Sequence, residues 1–248
     1  KDIELVTKHG NGKPAFYFLV NNKKIYARGF NILPIDYLKV HGKAEDYLQL
    51  FETVAASGAN MIRFWGGGAV VDDLFYEYCD KYGLLIWQDF FLHSNVYPDY
   101  DQEFVKNFSI EAGQLVKRIR NRASLAILCG GNEQYEGWEE WGWKEAMDRF
   151  YGETLVTEVL PKITKELCPD IPYVINSPHG LPRAQSPVAG DMHNWGNYFN
   201  STKDPQFVTE TCWSLETYSR PETLKKIMGL DVDLFNERGW FNQWSKIT

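Results

Sequence analysis

The sequence predicts an α/β fold and, within that class, a (β/α)8 barrel. Apolar runs of about five residues alternate with amphipathic stretches of helical period, the pattern of parallel strands joined by crossover helices. Seven such strands can be traced, each ending in polar or aromatic residues, as the C-terminal face of a barrel requires. The glycines after the strands are not spaced as a phosphate loop. Gly66-Gly67-Gly68 is not G-x-G-x-x-G, and no Lys-Ser/Thr pair follows it, which argues against a nucleotide-binding, doubly wound sheet.

Taken in order, residues 13–31 read as two β-prone runs separated by Asn21-Asn22, an N-terminal β-hairpin. The second run closes at Arg28-Gly29-Phe30-Asn31 as the first barrel strand, and Pro34 prevents its continuation. A helix is expected over about 44–57, with Leu48, Phe51, Val54 and Ala55 on one face and Gly58 as its stop. The strand Asn60–Trp65 follows. Asp72 and Asp73 then open a helix that presents Leu74, Phe75, Tyr78, Cys79 and Tyr82 and closes at Gly83. Leu84–Phe90 is the third strand, and 103–121 the third helix, with Phe104, Phe108, Ala112, Leu115 and Ile119 in register.

The fourth strand, Leu125–Cys129, stops at Gly130-Gly131 and then offers Asn132 and Glu133. A tryptophan-rich region follows, with Glu136, Glu139 and Glu140 expected on an exposed loop, before a helix over about 151–167. Further strands are expected at Tyr173–Ser177, Asp191–Trp195 and Phe207–Thr211, and a helix at Pro221–Met228. That makes seven strands. Either Phe241–Thr248 contributes the eighth, or the barrel is truncated near it.

Composition excludes several function classes. A formal net charge of −7 with no long basic run argues against a nucleic-acid partner; Lys117, Arg118, Arg120 and Arg122 read as a solvated helix face. No apolar run approaches the length of a membrane span. The N-terminal KDIELVTKHG has neither an initiator Met nor a signal-peptide apolar core, so a processed or excised chain is expected. Nine Trp, 14 Tyr and 15 Phe suit a cleft in which sugar rings stack, although aromatic rings are core material first. Cys79, Cys129, Cys168 and Cys212 contain no C-x-x-C pair; Cys129 and Cys212, in strand-like runs, read as small buried hydrophobes.

If the strands close a barrel, Asn31, Trp65, Asp89, Asn132, Glu133, His193, Trp195 and Glu210 converge at its mouth. Two of these are carboxylates at strand ends, Glu133 on the fourth and Glu210 on the seventh. Glycosidic hydrolysis needs one carboxylic acid to protonate the leaving oxygen and a second carboxylate to attack the anomeric carbon or activate water. Asn132 could bond a sugar hydroxyl, Trp65 or Trp195 could stack on the ring, and His193 could hold a carboxylate ionised. The histidines show neither H-x-H nor H-E-x-x-H spacing, so no metal site is expected. Two carboxylates suffice for the chemistry, so no cofactor is expected either.

The motifs resemble the catalytic barrel of glycoside hydrolase family 2, most closely its β-mannosidase branch. FYFLVNNKKIYARGFNILPIDYL is similar to the start of that barrel, ANMIRFWGGGAVVDDLFYEYCDKYGLLIWQDF to its second helix-strand unit, and RNRASLAILCGGNEQ to the segment with the acid/base glutamate. GDMHNW resembles the sixth-strand motif, and FVTET matches the place of the nucleophile. The resemblance implies Glu133 as acid/base, Glu210 as nucleophile and Asn132 as partner of the sugar 2-hydroxyl, with Asn31, Trp65, His193 and Trp195 shaping the sugar subsite. Asp89 and Arg63 are read as supporting residues behind that subsite. It further implies a single barrel over 1–248, with 1–24 an opening hairpin leading from a β-sandwich domain of a longer enzyme. The substrate would be an oligosaccharide or glycoconjugate bearing a terminal β-mannosyl residue. Two alternatives stand beside this: an exo-β-glucosaminidase or other family 2 β-glycosidase, and a non-catalytic carbohydrate-binding barrel.

Overall fold

A computed structural model describes residues 2–35, 42–68, 70–180, 182–194 and 207–210, with Val208 and Glu210 described by their backbone alone. The expected helix at 221–228 and the candidate eighth strand at 241–248 lie outside the described residues, as does Cys212.

The chain begins with a three-stranded antiparallel sheet, β1 (Ile3–Lys8), β2 (Pro14–Val20) and β3 (Lys23–Ile25), in that order. Val20 pairs with Lys23 across a two-residue turn in which Asn21 and Asn22 take φ of 49° and 62°, as the hairpin reading required. The run expected to continue as one strand to Asn31 instead divides between two sheets. β4 (Gly29–Ile32) leaves β3 behind and joins a parallel sheet. The side chain of Asn60 explains the break: its Oδ1 accepts from Arg28 N at 2.8 Å, and its Nδ2 donates to Tyr26 O at 2.9 Å. These bonds satisfy the backbone where neither sheet does.

Five strands form the parallel sheet in unbroken chain order: β4, β5 (Met61–Phe64), β6 (Leu85–Asp89), β7 (Leu125–Cys129) and β8 (Tyr173–Val174). A doubly wound sheet would reverse direction partway; these strands do not. A separate parallel pair, β9 (Met192–His193) with β10 (Val208–Glu210), places His193 opposite Glu210. β8 and β9 are shorter than the strands expected there.

Every residue of β5, β6 and β7 is buried, because both faces of the sheet are covered. On one face Met61, Leu85, Trp87, Ala126, Ile127 and Cys129 meet Phe16 and Phe18 of β2. Phe207 completes that cluster, stacked on Trp87 with centroids 6.0 Å apart. On the other face Ile62, Phe64, Ile86 and Leu128 pack against the crossover helices.

Those helices are α1 (Ala44–Ala56), α2 (Asp73–Tyr82) and α3 (Gln102–Ile119). α1 buries Tyr47, Phe51 and Val54, so its inner face turns slightly from the one expected, with Tyr47 in place of Leu48. α2 buries Tyr76 as well as Phe75 and Cys79 and ends on Gly83 in the left-handed conformation. α3 is capped by Asp101, whose carboxylate accepts from the amides of Glu103 and Phe104. Arg118 and Arg122 of its basic stretch pair with Asp73, Glu77 and Asp80 on or beside α2, tying the two helices together.

The tryptophan-rich region forms two short helices, α4 (Gln134–Glu140) and α5 (Trp143–Ala146). The expected helix at 151–167 is a π-helical turn, Leu155–Val159, running into α6 (Leu160–Leu167). Pro161 has no amide to donate, so the regular i→i−4 ladder cannot pass through it. Among the described residues, no helix is long and apolar enough to cross a membrane.

Candidate active site

The C-terminal ends of β5, β6, β7 and β8 bring a set of buried polar side chains together. Arg63 lies 3% exposed on β5 and reaches across to β6. Its Nη2 donates to Asp89 Oδ2 at 2.7 Å and its Nε to Oδ1 at 3.3 Å. Asp89 accepts two more bonds, from the indole N–H of Trp87 at 2.9 Å and the amide of Gly66 at 3.1 Å. A buried ion pair is tolerable when its remaining hydrogen-bonding capacity is filled, and here the carboxylate is saturated.

The same Arg63 Nη2 donates to Asn132 Oδ1 at 2.7 Å. That bond fixes which end of the amide faces the arginine and leaves Nδ2 on the other side, 3.4 Å from Ser94 Oγ. Backbone bridges link His93 to Asn132 and Asn132 to Ser177, extending the parallel register past β6, β7 and β8. At Gly130 an added Cβ would lie 2.1 Å from Ile175 O, so only glycine lets the two chains approach this closely.

Glu133 follows with φ of 60°, a left-handed conformation that costs an ordinary residue about 1–2 kcal/mol. Its backbone is over-determined: its amide donates to Ser177 O at 2.7 Å, and its carbonyl accepts from Gly137 N at 2.8 Å. The side chain is held at both oxygens. Oε2 accepts from Ser94 Oγ at 2.9 Å, and Oε1 lies 2.8 Å from His193 Nδ1. Ser94 is itself left-handed, φ 36°, and its amide donates to Asn132 O at 2.8 Å.

His193 is fully enclosed. Its Nε2 lies 2.9 Å from Ser177 Oγ, and its amide donates to Gln185 Oε1 at 3.0 Å. Behind it, Ser177 and Thr209 both reach Asp191 Oδ2 at 2.6 Å. Asp191 is 1% exposed and also accepts from the His179 amide through Oδ1 at 2.9 Å.

Of the residues expected at the site, the fold brings Asn132, Glu133 and His193 into one hydrogen-bonded group. Trp65 flanks it, its ring 5.0 Å from that of His93 and its indole lying over Gly67, where an added Cβ would strike the ring at 2.2 Å. Asn31, the third residue of β4, is in register with Arg63, and both line a cavity shared with Thr209. The backbone of Glu210 pairs with His193. Trp195 lies outside the described residues.

One expectation is overturned. Glu136, Glu139 and Glu140 are not on a loop but on α4; Glu139 and Glu140 are exposed as expected, whereas Glu136 is only 9% exposed. Helical spacing turns position 136 back toward Glu133, one turn away. Among the described residues its Oε2 has no hydrogen-bond partner. Burial, followed by the nearby Glu133 charge, pushes its carboxyl up from the usual value, against the opposing hydrogen bond from Gln185. Sequence reasoning also passed over Ser94, Ser177, Thr209 and Gln185 and assigned no role to Asp191. No local signal marks these residues, because tertiary packing alone makes them neighbours.

Glu133, Glu136 and His193 each offer a ligand atom within 4.8 Å of the others, a set that could in principle hold a cation. Two atoms bound to one tetrahedral zinc at about 2.0 Å stand roughly 3.3 Å apart. The 2.8 Å between Glu133 Oε1 and His193 Nδ1 is instead the distance of a shared proton.

A parallel α/β sheet with a buried, hydrogen-bonded glutamate beyond a strand's C-terminal end defines the chain as an α/β domain with a buried carboxylate site. No protein-family model matches the sequence. Beta-mannosidase B of Aspergillus flavus is 31% identical over 255 residues, which is 95% of this chain and 30% of the relative. Beta-mannosidase B of Aspergillus niger is 32% identical over 84% of this chain and 26% of its own length. The crystal structure of beta-D-mannosidase from Dictyoglomus thermophilum superimposes with a TM-score of 0.80 at 32% identity, over 91% of this chain and 28% of that one. The chain is a β-mannosidase-like domain of glycoside hydrolase family 2. It spans about 30% of the length of the curated relatives it matches. The Amycolatopsis orientalis exo-chitosanase CsxA superimposes with a TM-score of 0.60 at 14% identity, a likeness of fold alone.

Proposed function

We propose that residues 1–248 form one (β/α)8 catalytic barrel that hydrolyses terminal β-mannosyl linkages with retention of configuration. Glu133 protonates the leaving oxygen and then takes the proton of the incoming water. Glu210 attacks the anomeric carbon and forms the glycosyl-enzyme intermediate. Asn132 bonds the sugar 2-hydroxyl, and Asn31, Trp65, His193 and Trp195 shape the subsite.

The observation that carries this reading is the setting of Glu133. Its carboxyl group is buried at the end of β7 and held at both oxygens, and the strand that faces His193 brings in the backbone of Glu210. A surface glutamate would have none of these constraints. The unbroken strand order from β4 to β8 supports closure into a barrel.

The test is kinetic. Glu133→Ala should reduce kcat/KM by roughly 10²–10⁴-fold for β-mannosides with poor leaving groups, and far less for activated aryl β-mannosides. Glu210→Gln should abolish turnover of both. Equal losses for both leaving groups in Glu133→Ala would remove Glu133 as the acid. Sugar binding without turnover before any substitution would favour the carbohydrate-binding module instead.

A further inference from the structure

The proton positions around His193 are fixed by its neighbours. Ser177 Oγ carries one proton and has three polar neighbours among the described residues: Asp191 Oδ2 at 2.6 Å, His193 Nε2 at 2.9 Å and Thr209 Oγ1 at 3.1 Å. Thr209 Oγ1 stands 2.6 Å from the same Asp191 oxygen. An ionised carboxylate only accepts, and 2.6 Å is the length of an O–H···O⁻ bond. Both hydroxyl protons therefore point at Asp191. The lone pair left on Ser177 faces His193 Nε2, so that nitrogen carries a proton. When the ring is neutral, Nδ1 then presents a lone pair to Glu133 Oε1, and their 2.8 Å contact requires a further proton.

We propose that Asp191, acting through Ser177, is a positioning residue for Glu133. It holds His193 in the Nε2–H form, and the Glu133–His193 pair thereby stores one transferable proton. This rests on the reading of Glu133 as the acid/base. In the first half-reaction the glycosidic C–O bond breaks as Glu210 bonds to the anomeric carbon, and the stored proton goes to the leaving oxygen, leaving a carboxylate beside a neutral ring. In the second half-reaction water forms the new C–O bond as the bond between the sugar and Glu210 breaks, and the proton released by water refills the pair. Ser94 Oγ donates to the other oxygen of Glu133, and Glu136 of α4 faces both members of the pair.

Asp191→Asn tests the assignment with almost no change of shape. The His179 amide keeps the asparagine Oδ1 in place, so Nδ2 takes the position of Oδ2 and donates to Ser177 and Thr209. Ser177 then turns its proton to Nε2, at 2.9 Å its nearer acceptor than Thr209 Oγ1 at 3.1 Å, and the single ring proton of a neutral His193 moves to Nδ1. The corresponding Asp-to-Asn change in the serine-protease triad, which also leaves the wrong tautomer, costs about 10⁴-fold in kcat.

The readout is one-bond ¹⁵N–¹H coupling in the full chain labelled with ¹⁵N-histidine. The expected result is a proton on His193 Nε2 in the wild type and on Nδ1 in Asp191→Asn. With it, kcat/KM should fall roughly 10²–10⁴-fold for unactivated β-mannosides and less than about tenfold for dinitrophenyl β-mannoside. A bare Nε2 in the wild type overturns the proposal and leaves the role of Glu133 untouched; that spectrum decides the matter even if the variant does not fold. A proton that moves as expected while both substrates lose activity equally overturns the acid role of Glu133, and the storage role with it.

Discussion

Arg63 Nη2 donates to Asn132 Oδ1 at 2.7 Å and to Asp89 Oδ2 at the same distance. One guanidinium thus orients the amide that precedes the buried glutamate and neutralises the carboxylate beneath it. The bidentate reach toward Asp89 is geometry that a lysine could not reproduce.

The orientation of Asn132 leads to a prediction about substrate. With Oδ1 committed to Arg63, Nδ2 is the end of the amide that the proposed function assigns to a sugar hydroxyl. Bonds to the 2-hydroxyl strengthen in the glycosidase transition state by several kcal/mol. Asn132→Ala should therefore lower kcat/KM by roughly 10²-fold or more on a β-mannoside. On the 2-deoxy analogue, variant and wild type should differ little; equal losses on both substrates would assign Asn132 a packing role only.

Arg63→Met should destabilise the fold by about 3–5 kcal/mol, because it leaves Asp89 buried and uncompensated. Thermal melting would show this as a large drop in Tm. Adding Asp89→Leu should recover part of the loss, since replacing both partners removes the stranded charge.

Glu136 predicts a pH dependence of stability. Burial raises its carboxyl above the ordinary glutamate value of 4.5, so around and above that pH the folded state binds more protons than the unfolded one. Its contribution is fully present below the unfolded value and is lost as pH rises through the folded one. Glu136→Gln does not ionise, so its advantage in Tm over the wild type should be absent near pH 4, grow as pH rises and then level off. A difference that stays flat across that range would argue that Glu136 is not desolvated.

Phe18, fully buried, joins the N-terminal sheet to the parallel sheet through Trp87 and Phe207. Phe18→Ala should cost about 3–5 kcal/mol. Urea unfolding should remain a single transition at a lower midpoint if the N-terminal sheet and the parallel sheet are one cooperative unit. A separate early transition would show that residues 3–25 unfold on their own.

Much of the parallel sheet was legible in the chain. The run Leu125–Cys129 is apolar at every position because both of its faces are covered, and its bounds match those expected. Gly83 and Asn21-Asn22 marked a helix end and a hairpin because few other residues accept positive φ without cost. The break at Tyr26–Arg28 was not legible, since the side chain that ends β3 belongs to Asn60, 34 residues from Tyr26.

The sequence by itself determined the alternation of strand and helix, the burial of the strands and the glutamate at the end of β7. Those are written in periodicity and in local backbone chemistry, which neighbouring residues carry together. Only the tertiary structure decided what surrounds that glutamate. Ser94, Ser177 and the pair Asp191 and His193 come from three separate segments, and the hydrogen bonds of 2.6–2.9 Å that tie them to one another and to Glu133 exist only once the strands align. Glu136 shows the same division in one residue. Its place on α4 follows from local sequence, while its burial depends on what the fold packs against that helix.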